Sequence, residues 1–112
     1  MKTQRKKLRT KNQSTYRTLE EVVGCKWSVS VLLAVADGID RPGALQRHVD
    51  GISTKVLSER LRKLTHYGLL DKTSYPEVPP RTEYSLTEKG QKLIEIIQQI
   101  RLLDSHQHTF GV

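Results

Sequence analysis

Several features that define other protein classes are missing from this sequence. A single cysteine, Cys25, excludes an internal disulfide and suits a reducing cytoplasm. No apolar run approaches the roughly 20 residues that cross a bilayer, so we expect no transmembrane helix. The basic N-terminus lacks the apolar segment of a secretory signal. Together these absences predict a cytoplasmic protein that does not enter the membrane.

Motifs for catalysis, phosphate binding and metal coordination are absent as well. The chain has no nucleophile elbow, no glycine-rich phosphate loop and no paired carboxylates at a meaningful spacing. Its four histidines do not cluster, since His48 and His66 lie in separate turns and His106 and His108 lie near the C-terminus. We therefore expect no enzyme, no cofactor and no metal site.

Aromatic residues are scarce too, with one Trp and one Phe among 112 residues. A chain of this length suits a single domain with a modest core. Hydrophobic residues make up 36% of the chain, and with so few Trp and Phe among them that core must be mostly aliphatic.

Positive charge, by contrast, is abundant and unevenly placed. The formal net charge is +7, and residues 1–11 hold six basic side chains and no acid, which leaves +1 for the rest. Residues 41–75 hold seven basic and three acidic side chains. This pattern predicts a polyanion partner that meets one face of the molecule. Residues 1–13 are interpreted as a flexible basic arm, either solvated or in contact with nucleic acid, ahead of a domain at 14–112.

Apolar periodicity predicts three helices before residue 50. The second is apolar almost all round, so it should be buried at the centre. The third is short, with Pro42 in its first turn and Asp40 as its N-cap. The predicted helices run from Ser14 or Thr15 to Gly24, from Lys26 to Asp37, and from about Arg41 to Val49.

A longer amphipathic helix follows a glycine turn at Gly51. Ser53 is a good N-cap for a helix that runs to about Tyr67. Leu57, Leu61 and Leu64 form one narrow apolar stripe. A short helix, a glycine turn and a longer amphipathic helix are typical of a helix-turn-helix.

Two predicted strands and a last helix complete the chain. Leu70–Tyr75 and Arg81–Leu86 flank a proline-rich loop at Pro76–Pro80, and proline belongs in such a connection rather than in a paired strand. Thr87 caps a final helix with an apolar stripe. The predicted fold is mainly α with a small antiparallel β-hairpin (α+β), a winged helix-turn-helix.

Several stretches together resemble the HxlR-type regulators, a bacterial winged-helix group related to MarR-type proteins. The matching stretches are GCKW (24–27), GISTKVLSERLRKL (51–64), GLL (68–70) and YPEVPPRTEYSLTEKG (75–90). The resemblance implies a homodimeric, sequence-specific DNA-binding transcription regulator, associated with the nucleoid, that dimerises through its terminal helices. The chain departs from the family pattern at Cys25, often glycine, at Pro42, often phenylalanine, and at Ser14, where some thiol-sensing members carry cysteine.

The helix from Ser53 is the candidate recognition helix, because N-terminal residues of such a helix meet base edges in the major groove. We expect base or phosphate contacts from Ser53, Thr54, Lys55, Ser58 and Arg62, and a phosphate contact from Arg41. A solvated amphipathic helix is the alternative interpretation. Arg81, at the wing, is expected either to approach the minor groove or to pair with Glu77 or Glu83.

Two further predictions concern dimerisation and signalling. The last helix is interpreted mainly as a dimer interface, although it could instead close the core of one chain. Its predicted interface residues are Leu93, Ile96, Ile97, Ile100 and Leu103. Cys25 is either a small packed residue or a redox-responsive thiol with Lys26 beside it.

The predicted partners are double-stranded DNA with a pseudo-palindromic operator and a second copy of the chain. A small-molecule effector is left open. The alternative function is a winged-helix module for protein interaction or DNA architecture, with non-specific nucleic-acid affinity.

Overall fold

The computed structural model describes residues 16–110, and their side chains as far as residue 104. The proposed basic arm at 1–13, the predicted start of the first helix and Ser14 lie outside these residues. The described elements are α1 at residues 16–23, followed by α2 (Lys26–Ala36), α3 (Pro42–His48), α4 (Thr54–His66), β1 (Leu70–Tyr75), β2 (Arg81–Leu86) and α5 (Glu88–Phe110). This order of elements, with the hairpin directly after α4, is a winged helix-turn-helix, as the sequence predicted.

The core is aliphatic and centres on α2. Val31, Leu32 and Ala34 are at most 1% exposed, in agreement with the predicted central helix. The predicted stripe of α4 packs against it, with Leu57, Leu61 and Leu64 at most 3% exposed. Leu45 and Val49 close the core from α3, as predicted.

The α3–α4 connection is a glycine turn, as the sequence predicted. Gly51 has φ of +85°, a region that favours glycine because it has no Cβ. Ser53 then caps α4, since its Oγ accepts a hydrogen bond from the Val56 amide at 3.1 Å. Such a cap stabilises a helix by about 1 kcal/mol. The turn and the cap together set the direction in which α4 leaves α3.

The predicted N-cap of α3 is wrong. Arg41, not Asp40, occupies the N-cap position, without a capping side chain, and Pro42 follows in the first turn. The Asp40 carbonyl instead accepts a hydrogen bond from the Tyr84 amide at 2.8 Å. The backbone of Asp40 therefore joins β2 to the segment before α3.

The hairpin pairs in antiparallel register from Leu70 opposite Leu86 to Tyr75 opposite Arg81. Its base is joined to α4 and α5 through Thr87. The Thr87 amide donates to the Leu69 carbonyl at 3.1 Å, and the Thr87 hydroxyl donates to the Gly68 carbonyl at 2.6 Å and accepts from the Gly90 amide at 2.9 Å. Thr87 therefore caps α5, as predicted, and also ties this helix to the end of α4.

Candidate nucleic-acid interface

The outer face of α4 carries the polar residues that the sequence singled out. Ser53, Thr54, Lys55, Ser58 and Arg62 are all exposed. The buried stripe on the opposite side packs the helix against α2 and α3. A polar helix face held in one orientation by a packed core has the geometry needed to enter a groove of DNA.

The oxygen of Ser53 is already engaged as the helix cap. It accepts from the Val56 amide, so the hydroxyl hydrogen remains able to donate to an outside acceptor such as a phosphate oxygen. Ser53 therefore differs from Thr54 and Lys55, which follow the cap inside the helix.

Positive charge continues from α4 onto α3. Arg41 lies at the N-cap of α3, and Arg47 and His48 lie in its last turn. All three side chains are exposed. Arg41 also lies 3.6 Å from Glu83 on β2, between its Nη2 and the carboxylate Oε2. The interface candidates on α3 thus include one arginine that is already paired with the hairpin.

Arg81, at the start of β2, is held by three neighbours. Its Nη2 lies 3.1 Å from Oε2 of Glu77, and its Nε lies 3.6 Å from Oε2 of Glu83. Its guanidinium also stacks over the ring of Tyr75 at 4.0 Å. Both ion pairs that the sequence offered as the alternative to DNA contact are therefore present, and Glu83 is shared between Arg41 and Arg81.

Cys25 precedes α2 and lines a cavity of about 130 Å³ with Ser28, Arg60, Lys63 and Tyr67 among its walls. Burial alone would raise the pKa of the thiol, but hydrogen bonding with Ser28 and the positive charge of Arg60 outweigh it, so the pKa is lowered from its ordinary value.

The sequence had suggested Lys26 as the residue that would activate Cys25. The structure places the Lys26 ammonium over the Trp27 ring, 5.5 Å from its centre. Arg60 acts on the thiol in its place. Because Arg60 lies on α4, 35 positions further along the chain, no local sequence pattern could have indicated this interaction.

The five predicted interface residues of α5 fall into two groups. Leu93 and Ile97 are each 4% exposed, because they pack into the core of the same chain together with Ile94. Ile96, Ile100 and Leu103 are 54%, 45% and 68% exposed. The helix thus closes the core of one chain with one side and presents large aliphatic residues to solvent with another.

Among the described residues, no helix has both the length and the apolar composition that crossing a bilayer requires. Within the same part of the chain, no three His, Cys, Asp or Glu side chains gather as a metal site would need.

Comparison with known proteins agrees with this geometry. The family model described as HxlR-like helix-turn-helix matches residues 22–109. An HTH-type transcriptional regulator of Methanothermobacter thermautotrophicus is 39% identical over 93 residues, which are 80% of this chain and 71% of the relative.

Two solved structures resemble the fold. A MarR-family transcriptional regulator from Enterococcus faecalis V583 superposes with a TM-score of 0.78 and 30% identity, over 88% of this chain and 90% of that one. The redox regulator HypR in its reduced form gives a TM-score of 0.71 and 32% identity, over 81% and 91% of the two chains. The family model covers most of the chain and the resemblance inferred from the sequence is confirmed: the chain belongs to the HxlR-like helix-turn-helix family of transcriptional regulators.

Proposed function

We propose that this regulator binds double-stranded DNA sequence-specifically as a homodimer, with α4 in the major groove and the hairpin at the adjacent backbone or minor groove. The observation that carries the proposal is the exposed polar face of α4, set on a buried aliphatic stripe. A rigid helix whose first turns carry exposed hydrogen-bonding side chains can read base edges. A protein with this function resides in the cytoplasm and is associated with the nucleoid.

Lys55 is the residue that best suits base recognition. It is exposed in the first turn of α4, and an ammonium group can donate to the N7 and O6 acceptors of guanine. Thr54 beside it offers a methyl group to thymine or a hydroxyl to any base edge. Arg62 lies two turns further on and suits a phosphate oxygen better than a base.

Arg41 and Arg81 supply backbone contacts in this proposal. Phosphate contacts fix the register of a protein on the duplex without reading its sequence. Each contact also releases counterions, so binding should weaken steeply as salt is added. Since both arginines are paired with acidic side chains of the hairpin in the free protein, DNA has to compete with Glu77 and Glu83 for them.

Cys25 offers a route for a redox signal in the same proposal. Its thiol pKa is lowered, and a thiolate is the form that oxidants and electrophiles attack. The structural relative HypR is a redox regulator by name. With one cysteine in the chain, a disulfide would join Cys25 to a second copy or to a small thiol.

The proposal is tested by selecting bound duplexes from a random pool with the purified full chain. An enriched motif with two half-sites, spaced by about 10 bp or a multiple of it, is the expected result. Repeating the selection with Lys55→Ala should relax the preference at one position in each half-site. Lys63→Ala, which removes the same charge from the other end of α4, is the matched control and should leave the motif unchanged.

A pool that yields no motif would contradict sequence-specific regulation. Equal affinity for all duplexes, unchanged by Lys55→Ala and lost when residues 1–13 are deleted, would instead favour the interaction or architectural module with non-specific affinity.

A further inference from the structure

The loop that connects the two strands of the hairpin carries an exposed apolar side chain at its centre. Val78 is the middle residue of the loop 76–80 and lies at a bend in the chain. It is 100% exposed. A valine with this exposure contributes nothing to the core of its own chain, so its position is free to serve contact with another molecule.

The same loop has few groups that could donate a hydrogen bond to DNA. Three of its residues are prolines, at positions 76, 79 and 80, and proline has no backbone N–H. The Glu77 amide already donates to the Tyr75 carbonyl at 2.8 Å, and the side chains of Glu77 and Val78 carry no donor. Phosphate oxygens accept hydrogen bonds, so this loop is poorly suited to them and better suited to an apolar surface.

The ends of the loop are joined by side-chain contacts. Tyr75 is paired with Arg81 across the hairpin, and the Arg81 guanidinium lies over the Tyr75 ring at 4.0 Å. Nη2 of Arg81 also lies 3.1 Å from Oε2 of Glu77, which reduces the repulsion between this carboxylate and a polyanion. A loop joined at its ends and restricted by prolines loses less conformational entropy on binding.

The hairpin lies on the side of the molecule where α4 exposes its polar face. Lys72 on β1 and Tyr84 on β2 line the same groove as Ser58 of α4. The six residues of each strand span about 20 Å. A major groove and the next minor groove lie about 17 Å apart, which is half of a helical turn. The hairpin is therefore long enough to bring its loop to the minor groove while α4 occupies the major groove.

We propose that Val78 enters the minor groove of the operator and makes the protein prefer A·T over G·C at the base pair it meets. This inference rests on the proposed function and adds a second place at which the operator is read. The minor groove is about 6 Å wide, so one branched aliphatic side chain fills it. A G·C pair presents the guanine N2 amino group there, whereas an A·T pair does not. Valine against that amino group displaces water and offers no acceptor, which disfavours G·C.

The test begins with the duplex that selection from a random pool enriches for the full chain. Each A·T pair beside the major-groove contacts is replaced by G·C and then by inosine·C, and affinity is measured by fluorescence anisotropy. Inosine has the major-groove acceptors of guanine but lacks the N2 amino group. At one pair in each half-site, we expect G·C to weaken binding about tenfold and inosine·C to restore it. Inosine·C that binds as weakly as G·C would overturn the inference, because the pair would then be read from the major groove.

Val78→Thr separates the apolar contact from the width of the groove. Threonine has the size and branching of valine, but its hydroxyl accepts a hydrogen bond from the guanine amino group. The tenfold preference for A·T should therefore fall below about threefold. Thr73→Val is the matched control, because it makes the reverse exchange at an exposed position of β1 outside the loop, and it should keep the preference. An unchanged preference in Val78→Thr would assign the selection of A·T to groove width and refute the role of Val78.

The same measurements separate this inference from the function on which it rests. If the selection enriches a motif with two half-sites but no A·T preference beside them, the proposed function stands and the role of Val78 is refuted. If the selection enriches no motif, sequence-specific binding is itself contradicted, and the inference fails with it. An A·T pair that inosine·C replaces without loss, and that Val78→Thr no longer distinguishes from G·C, supports both.

Discussion

At the scale of single residues, the thiol of Cys25 has an environment that differs from that of an ordinary surface cysteine. Ser28 and Arg60 together lower its pKa despite partial burial. A lowered pKa means that the thiolate fraction at neutral pH is higher than in a free thiol, and the thiolate is the reactive species.

We expect alkylation of Cys25 by iodoacetamide to reach half of its maximal rate at a pH below the pKa of an ordinary cysteine. Arg60→Gln removes the positive charge that stabilises the thiolate, so the midpoint of the rate–pH profile should move to higher pH. Arg62→Gln, two positions along α4 and outside this cavity, should keep the original midpoint. A profile that is the same in all three proteins would show that Arg60 does not act on the thiol.

Glu83 forms ion pairs with two arginines, one before α3 and one on its own strand. It lies within 3.6 Å of both Arg41 and Arg81, and its side chain is half-buried between them. Partly exposed ion pairs of this kind contribute about 0–1 kcal/mol each, so the hairpin does not depend on them to fold. In the proposed function, we expect their larger effect on the positive charge with which the two arginines meet DNA.

We predict that Glu83→Gln binds DNA more tightly than the unchanged protein, by about three- to tenfold at low salt. The change removes the carboxylate that pairs with Arg41 and one of the two that pair with Arg81. It also removes a negative charge that repels phosphate. A plot of log affinity against log salt should also become steeper, because more counterions are released. Glu95→Gln, an exposed acid on α5, serves as the charge-matched control. Weaker binding by Glu83→Gln would mean that the carboxylate positions the arginines rather than competing with DNA for them.

At the scale of elements, the junction of β1 and α5 depends on a close approach at Gly90. A Cβ at this position would overlap the backbone carbonyl of Leu69 and press on the Leu86 side chain. The same carbonyl accepts the Thr87 amide, so it cannot move without losing that hydrogen bond. The glycine is therefore required by packing and not by backbone conformation.

Gly90→Ala should lower the free energy of unfolding by about 1–3 kcal/mol, the usual cost of overpacking a well-filled site. Urea denaturation followed by circular dichroism measures it. Gly43→Ala is the matched control, because it is also in the first turn of a helix and its Cβ would meet only the flexible end of Arg47, at 3.7 Å. That variant should be neutral or slightly stabilising, and a similar loss in both would contradict the packing argument.

The elements with strong local signals are those that the sequence predicted correctly. Both strands have the predicted bounds, because the three prolines at positions 76, 79 and 80 confine the loop and alternation fixes the pairing that follows. Ser53 and Thr87 are caps because their hydroxyl oxygens reach amides three residues on. The amides in question belong to the helix that each residue begins, so the interaction is local and readable from the sequence.

What the sequence did not predict depends on contacts between distant segments. Asp40 has the side chain of an N-cap, yet the chain places its carbonyl against the Tyr84 amide and leaves Arg41 at the cap. A groove of about 880 Å³ likewise forms only when α3, α4 and β1 come together, and Arg47 and Lys72 are both among the residues that line it. Propensity and periodicity act over a few residues and cannot specify such pairs.

At the scale of the whole molecule, α5 extends past the core of its own chain. Among the side chains that the structure describes, as far as residue 104, the last buried one on α5 is Ile97, and every residue from 98 to 104 is exposed. An unsupported helical segment of this length is marginal in water. Ile96, Ile100 and Leu103 recur at intervals of four and three residues, so they share one exposed face of the helix. An exposed face of large aliphatic residues, on a helical segment that is not packed against its own chain, favours a second copy as the partner.

We predict that Ile100→Glu converts a dimer into a monomer, as measured by light scattering after size-exclusion chromatography. Ile100 is 45% exposed in the single chain, so the charge should leave the monomer folded, which circular dichroism checks. Gln98→Glu places the same charge on the opposite side of the helix and should remain dimeric. A monomer retains one recognition helix, and losing the linked second site should weaken operator binding by about 10²-fold or more. A Gln98→Glu variant that is equally monomeric would assign the effect to charge on α5 in general, and an Ile100→Glu dimer would move the interface away from this face.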